Sequence, residues 1–378
     1  MKSKNVILIS YPDNFRQQEA RSLIESVSDY QIVKTYTQKY LNHSTYGLGA
    51  GKVEEIKEFL TENKSEYVII VDEHLSARQM YNLEKATESK VIDRERLILD
   101  IFYSRATTTE AKLQIQLAEI KYELPRVREG AKIAKGGERP GKGGGGEYIV
   151  DVKFRELKRQ MGFILDKLSE AKRKRQLYLD QRTANELPVV ALVGYTSSGK
   201  TTLFNFLTNE NKQTSDSLFT TLSTTTRSFY INNQKLLLTD TVGFISRLPT
   251  YMIEAFKSTL EESLSASLIL LLIDSSQPVE EIRIKFLSCW EILDELKVDR
   301  DKVIVIFTKN DQTNLIRIQD IITDLAIRTP HAISAKTGYG IRKLKTIVSQ
   351  QITIKSPKKP IKLLTHGKAI FQTHQYSR

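Results

Sequence analysis

The sequence predicts an α/β protein in three successive parts. A small α/β unit with a parallel sheet comes first. A long antiparallel helical hairpin follows, and then a second α/β domain on a parallel-sheet core. Three observations predict this. Short β-branched runs alternate with helical patterns over residues 1–93 and again over residues 187–350. Two apolar seams of helical period lie between them. A glycine-rich loop joins a strand to a helix at the start of the last part. A length of 378 residues suits two or three domains at roughly 150 residues each. With 40% hydrophobic and 27% charged residues, the chain can bury a core.

In the first part the runs read as strands over residues 6–10, 31–36 and 67–72, with helices over 14–27 and 51–64. The apolar start stops at Tyr11-Pro12-Asp13, too early for a signal peptide, and reads as a strand. His43 and His74 have no second ligand at metal spacing and read as surface residues. The longest apolar run, residues 268–273, is far short of the ~18 that suggest a membrane span. No stable membrane insertion and a cytoplasmic location are expected, with at most weak peripheral association with anionic surfaces. The single cysteine, Cys289, sits in Phe286-Leu287-Ser288-Cys289-Trp290 and reads as a core residue. That excludes a disulfide framework and a cysteine-rich zinc site.

Over residues 94–182, Leu113, Leu117, Ile120 and Leu124 recur at spacings of 4, 3 and 4. Phe154, Leu157, Met161, Ile164, Leu168 and Ala171 form a second seam. Two such helices in series pack as an αα-hairpin. The tip, residues 130–146, holds 8 of the 18 glycines with four Lys/Arg and one acid. Glycine at this density costs entropy on ordering, so a mobile basic loop is expected.

Net charge is +12, and it is local. Residues 121–182 carry +8, residues 351–378 carry +6, and the remainder sums to −2. Clustered basic charge points to a polyanionic partner. Residues 351–378 read as a basic C-terminal extension.

The last domain, residues 187–350, carries the chemistry. An apolar strand over 187–193 runs into Gly194-Tyr195-Thr196-Ser197-Ser198-Gly199-Lys200-Thr201, and a helix follows. This is the phosphate-binding loop (P-loop), G-x-x-x-x-G-K-[ST], in its strand–loop–helix setting. Its backbone N–H groups and the helix N-terminus can hold a β-phosphate. Lys200 reaches the β- and γ-phosphates, and the Thr201 hydroxyl can ligate Mg²⁺. A strand over 235–239 ends in Asp240-Thr241-Val242-Gly243, which supplies a carboxylate for the Mg²⁺ shell and a close backbone N–H for the γ-phosphate. A strand over 303–307 ends in Thr308-Lys309-Asn310-Asp311. An ionised Asp311 can accept from guanine N1–H and N2–H₂, whereas adenine N1 is an acceptor and would be repelled. The Lys309 stem can cover the base. Ser334-Ala335-Lys336 can offer a backbone N–H to guanine O6. The order and strand-end placement predict a GTP site, with GDP as product. The hydroxyl-rich residues 216–227 read as the segment that senses γ-phosphate, and composition leaves open which threonine meets Mg²⁺. Phe244 stands where many small GTPases place the glutamine that orients water, so slow intrinsic hydrolysis is expected.

These motifs resemble the HflX-type GTPases, in the group that also contains Obg and Era. The resemblance runs over about residues 1–350. It rests on Val193-Gly194-Tyr195-Thr196, Leu218-Phe219-Thr220-Thr221-Leu222 and Asp240-Thr241-Val242-Gly243-Phe244-Ile245. Upstream it rests on Gly49-Ala50-Gly51-Lys52-Val53-Glu54-Glu55, Val91-Ile92-Asp93-Arg94, Ile98-Leu99-Asp100-Ile101-Phe102 and Ala118-Glu119-Ile120-Lys121-Tyr122-Glu123-Leu124-Pro125-Arg126. It implies that Thr221 is the switch threonine on Mg²⁺ beside Thr201, and that Phe219, Thr220, Thr221, Leu222 and Ser223 contact nucleotide. With Lys200, Thr221 and Gly243 are the expected catalytic residues. It also implies GTP-dependent binding to the large ribosomal subunit and its rRNA, with splitting or rescue of ribosomes. A GTP-gated RNA-binding factor for large-subunit assembly is the alternative. A monomer is expected. Three features depart from the family pattern: the inserted run Gly143-Gly144-Gly145-Gly146 at the tip, Ser223-Thr224 where aspartate-proline is usual, and Thr308 where asparagine is commoner.

Overall fold

Strand alternation is resolved into two sheets with a helical hairpin between them in the chain. A computed structural model describes residues 3–63, 65–137, 145–184, 187–210, 218–219, 224–255, 266–313, 315–325, 327 and 331–355. The first sheet has strands β1 (Lys4–Ser10), β2 (Tyr30–Thr37), β3 (Tyr67–Val71) and β4 (Lys90–Asp93), all parallel, in the order β2-β1-β3-β4. Helices α1 (Asn14–Glu25), α2 (Ala50–Glu62), α3 (Ala77–Thr87) and α4 (Arg94–Arg105) cover it. The period-two rule divides β1 between two layers. Val6 and Leu8 pack with Leu23 of α1 and Phe102 of α4. Ile7 and Ile9 pack with Ile56 of α2 and Leu83 of α3. Both faces are therefore buried, as parallel sheets require. Side chains start the helices: Asp13 accepts from Arg16 N–H, Ser76 and Gln79 form a capping box, and Asp93 accepts from Arg96 N–H.

Helices α5 (Thr109–Gly137) and α6 (Gly145–Ala184) form the hairpin. Leu117, Ile120, Leu157 and Ile164 are its buried seam, flanked by Leu113, Leu124, Met161 and Leu168. Arg128 stacks over Phe154, and Lys153 lies 4.0 Å from Glu123, further contacts between the two helices. The loop expected over residues 130–146 is shorter than its glycine content suggested. Helix continues through Gly137 and resumes at Gly145. Ala131-Lys132-Ile133-Ala134-Lys135 are adequate helix formers, and they outweigh the roughly 1 kcal/mol that each flanking glycine costs. The rest of the tip, residues 138–144, lies outside the described residues, as does the extension after residue 355.

The second sheet runs β10-β9-β8-β5-β7-β6. Its strands are β5 (Val189–Gly194), β6 (Thr225–Ile231), β7 (Gln234–Asp240), β8 (Leu268–Asp274), β9 (Val303–Thr308) and β10 (His331–Ala332). All pairs are parallel except β6 with β7, which Asn232 and Asn233 join with positive φ at both positions. Strand β6 takes residues 225–227 out of the segment read as hydroxyl-rich switch. Helices α7 (Lys200–Thr208) and α10 (Ile341–Lys355) cover one face through Leu203, Phe204, Leu344 and Val348. Helix α8 (Val279–Glu295) covers the other through Ile282, Cys289 and Leu293, and α9 (Leu315–Asp324) adds Ile321. Cys289 is wholly buried, and burial pushes its thiol up to about 12, the chemistry of a core residue. One apolar cluster runs from this face into the first sheet, joining Phe219, Phe244 and Met252 to Leu23 and Phe102. Among the described residues no helix is long and apolar enough to cross a membrane.

Candidate nucleotide-binding site

The loop between β5 and α7 is shaped by residues that tolerate its backbone. Gly194 has φ +152°, and a Cβ there would stand 2.4 Å from the Leu272 carbonyl oxygen. Gly199 has φ +87° and begins α7 with no side-chain cap, so the first N–H groups of the helix stay available to an anion. Lys200 is buried, and its Nζ donates to the carbonyls of Gly194 at 3.1 Å and Tyr195 at 2.7 Å. Burial pushes its pKa down to about 8, against the pull of Asp240. A buried ammonium already held by carbonyl dipoles is poised for polyphosphate oxygens.

Thr201 donates from Oγ1 to Asp240 Oδ2 at 3.1 Å. This hydroxyl and carboxylate are a hard oxygen pair of the kind Mg²⁺ takes, so these residues fit that ion. Thr241 is structural, donating to the Leu192 carbonyl at 2.7 Å. Val242 is buried beside it. Gly243 is required by contact: a Cβ would lie 2.9 Å from Thr196 Cγ2 and 3.2 Å from Lys200 Nζ. The next residue fastens this strand end to the P-loop. Phe244 N–H donates to the Gly194 carbonyl at 3.0 Å, and Thr196 N–H donates to the Phe244 carbonyl at 2.8 Å. The Phe244 ring is buried and brings no polar group to the site.

Thr308 performs a linking task that its type allows. Its hydroxyl donates to the Ser198 carbonyl at 2.8 Å, tying the base-side loop to the P-loop. Lys309 has φ +56°, and its Nζ pairs with Asp274 at 2.7 Å. Asn310 N–H donates to the Ile333 carbonyl at 3.1 Å, which brings Ser334, Ala335 and Lys336 beside Asp311. The Ser334 hydroxyl bonds to Asp311 and holds its carboxyl below the usual range, with Lys336 and Lys309 adding to the effect. Asp311 is exposed and ionised, which suits two adjacent donors on a base edge.

Of the expected switch residues, Phe219 is described. It has φ +57° and is buried, its ring centroid 4.7 Å from that of Phe102 on α4. Leu218 N–H donates to Ser26 Oγ at 3.2 Å. Thr220, Thr221, Leu222 and Ser223 lie outside the described residues.

Sequence reasoning missed a polar group at the junction of the two sheets: buried Glu19, Asp72, Arg94 and Ser246, with half-buried Arg247. Arg94 donates to Asp72 at 2.6 Å and to Glu19 at 2.7 Å. Arg247 donates to Asp72 at 3.0 Å. A signal was present in Glu19, which lies four residues from both Phe15 and Leu23 on the apolar face of α1.

Comparison with known proteins agrees along the chain. Residues 15–103 match the family model described as GTP-binding GTPase N-terminal, residues 105–182 the GTP-binding GTPase Middle Region, and residues 189–309 the 50S ribosome-binding GTPase. The GTPase HflX of Methanocaldococcus jannaschii is 40% identical over 339 residues, 89% of this chain and 83% of that protein. The GTPase HflX of Thermococcus kodakarensis is 40% identical over 311 residues, 82% of this chain and 70% of that one. The crystal structure of the SsGBP and GDP complex superposes with a TM-score of 0.53 at 27% identity, covering 94% of this chain and 99% of that chain.

Proposed function

The chain belongs to the HflX family of GTPases, and from that premise we propose that it binds the large ribosomal subunit when loaded with GTP and splits or rescues ribosomes. The observation that carries the reading is the +8 charge of residues 121–182, the hairpin, within a chain whose nucleotide domain matches a 50S ribosome-binding GTPase. In this account residues 1–93, 94–182, 187–350 and 351–378 act as an N-terminal unit, a reaching hairpin, a nucleotide-driven engine and a basic extension. The location is the cytoplasm, and the working form is a monomer.

The roles follow from the chemistry of the residues. Lys200 neutralises the β- and γ-phosphates. Gly243 offers its N–H to the γ-phosphate. Thr201 and Thr221 would hold Mg²⁺, with the Asp240 carboxylate hydrogen-bonded to Thr201. The ion, when bound, supplies positive charge to the phosphate oxygens as the bond to the leaving group breaks. Asp311 accepts from the guanine edge, and Lys309 and the 334–336 loop hold the base. Water attacks the γ-phosphorus, the bond to the β-bridging oxygen breaks, and GDP and phosphate leave. Phe244 contributes no hydrogen bond to that water, so the isolated protein turns over slowly and the subunit accelerates it.

Sedimentation of intact ribosomes with the protein and a non-hydrolysable GTP analogue tests the reading. Separated subunits support splitting. Intact ribosomes with the protein bound only to free large subunits favour the assembly role, and no association at all contradicts both.

A further inference from the structure

One carboxylate from the first sheet's helices enters the framework of the nucleotide site. Glu19 on α1 is buried and accepts from three donors on three separate segments. These are Arg94 Nη2 at 2.7 Å, Ser246 Oγ at 2.5 Å and the Tyr195 hydroxyl. Tyr195 is the second residue of the P-loop. Its hydroxyl also accepts from Ser246 N–H at 2.7 Å. Arg94 completes the ring by donating to the Ser246 carbonyl at 3.1 Å. Burial pushes the Glu19 carboxyl up, but Arg94 and the two hydroxyls outweigh it, so the group stays ionised.

We propose that Glu19 is a positioning residue for GTP hydrolysis, acting through the Tyr195 hydroxyl and Ser246 on the backbone of residues 243–244. Phe244 has no side-chain donor or acceptor, so this segment can act on the γ-phosphate only through its backbone. That backbone is held at both ends. Phe244 is paired with Gly194 and Thr196 on the P-loop side. Ser246 is held by Glu19, Tyr195 and Arg94 on the other. Arg247 is held in the left-handed region at φ +53°, a conformation that costs energy for a non-glycine residue and persists only where surroundings impose it. Its Nη1 donates to the Asp72 carbonyl at 2.9 Å. Donors fixed before reaction need no reorganisation as charge develops. A buried ion pair is weak evidence of net stability, yet removing one partner strands the other charge.

The inference rests on the nucleotide-site roles given above, and its test separates the two. In the full chain, Tyr195→Phe keeps the ring and removes the hydroxyl, and Glu19→Gln keeps the shape and removes the charge. Single-turnover hydrolysis, GDP affinity and melting temperature are measured for both and for the double variant. Tyr195→Phe should lower the hydrolysis rate about tenfold, the scale of one hydrogen bond to a charged group. GDP affinity should stay within about twofold of the parent. The double variant should be no slower than the slower single variant, because both break one linkage. An unchanged or raised rate in Tyr195→Phe overturns the proposal. So does a parallel loss of GDP affinity, or additive losses in the double variant. Failure of the parent to bind GDP would instead strike the site assignment itself. If Glu19→Gln does not fold, Tyr195→Phe alone decides the matter.

Discussion

Lys200 holds its ammonium against two carbonyls in a closed site, and burial brings its pKa down to about 8. Polyphosphate adds negative charge and draws that pKa back up. Below pH 8 the free protein already carries the proton, so GTP affinity should be flat. Above pH 8 binding must take up a proton, so affinity falls as pH rises, by up to about tenfold per unit. Calorimetry at pH 9 in two buffers of different ionisation enthalpy should show uptake approaching one proton, and Lys200→Ala should remove both the uptake and most of the affinity. Affinity independent of pH between 7 and 9 would contradict the lowered pKa. On the base side, Asp311→Asn should weaken GTP and favour xanthosine triphosphate, whose 2-oxo group accepts from the new amide. A competition assay that still selects GTP contradicts the assigned base contact. Lys200, Asp240 and Asp311 were readable because each belongs to a short motif whose local chain direction is set by a strand end. Glu19 was not, because its partners at positions 94, 195 and 246 meet only after both sheets have folded.

The hairpin seam shows what periodicity reads well. Spacings of 3 and 4 located Leu117, Ile120, Leu157 and Ile164, and these are the buried contacts between α5 and α6. Periodicity reads short elements poorly. The four-residue β4 offers two repeats of a strand pattern, and β6 carries threonine and arginine that looked like loop. Glycine content also misled at the tip, where helix runs through Gly137 and from Gly145. The seam ends well before residues 138–144. Replacing those seven residues with a short neutral linker should therefore leave the melting temperature and GTP affinity nearly unchanged. It should reduce stimulation of hydrolysis by large ribosomal subunits. Subunit binding should survive in part, because Lys172, Arg173 and Lys174 lie outside the tip and phosphate contacts act roughly in proportion to their number. Parent-like stimulation by the shortened protein would make the tip a passive linker.

Across the molecule, both segments proposed to follow nucleotide state are fastened to the first α/β unit. Leu218 and Phe219 meet Ser26 and Phe102, and Ser246 and Arg247 meet Glu19 and Asp72. With the apolar cluster that runs between them, these contacts form a continuous packed link between the first unit and the nucleotide site. The two α/β layers and the hairpin were legible from alternation and seams. This fastening was not, since it depends on how separate layers meet. The Phe244 ring is buried and brings no polar group to orient water, and the proposed function has hydrolysis wait for a ribosomal partner. The most direct test is multiple-turnover GTP hydrolysis by the purified full chain, with and without matched large ribosomal subunits. Slow turnover alone and a rise of at least about tenfold with subunits is the predicted result. Fast turnover by the isolated protein, or a rate that subunits leave unchanged, would contradict it.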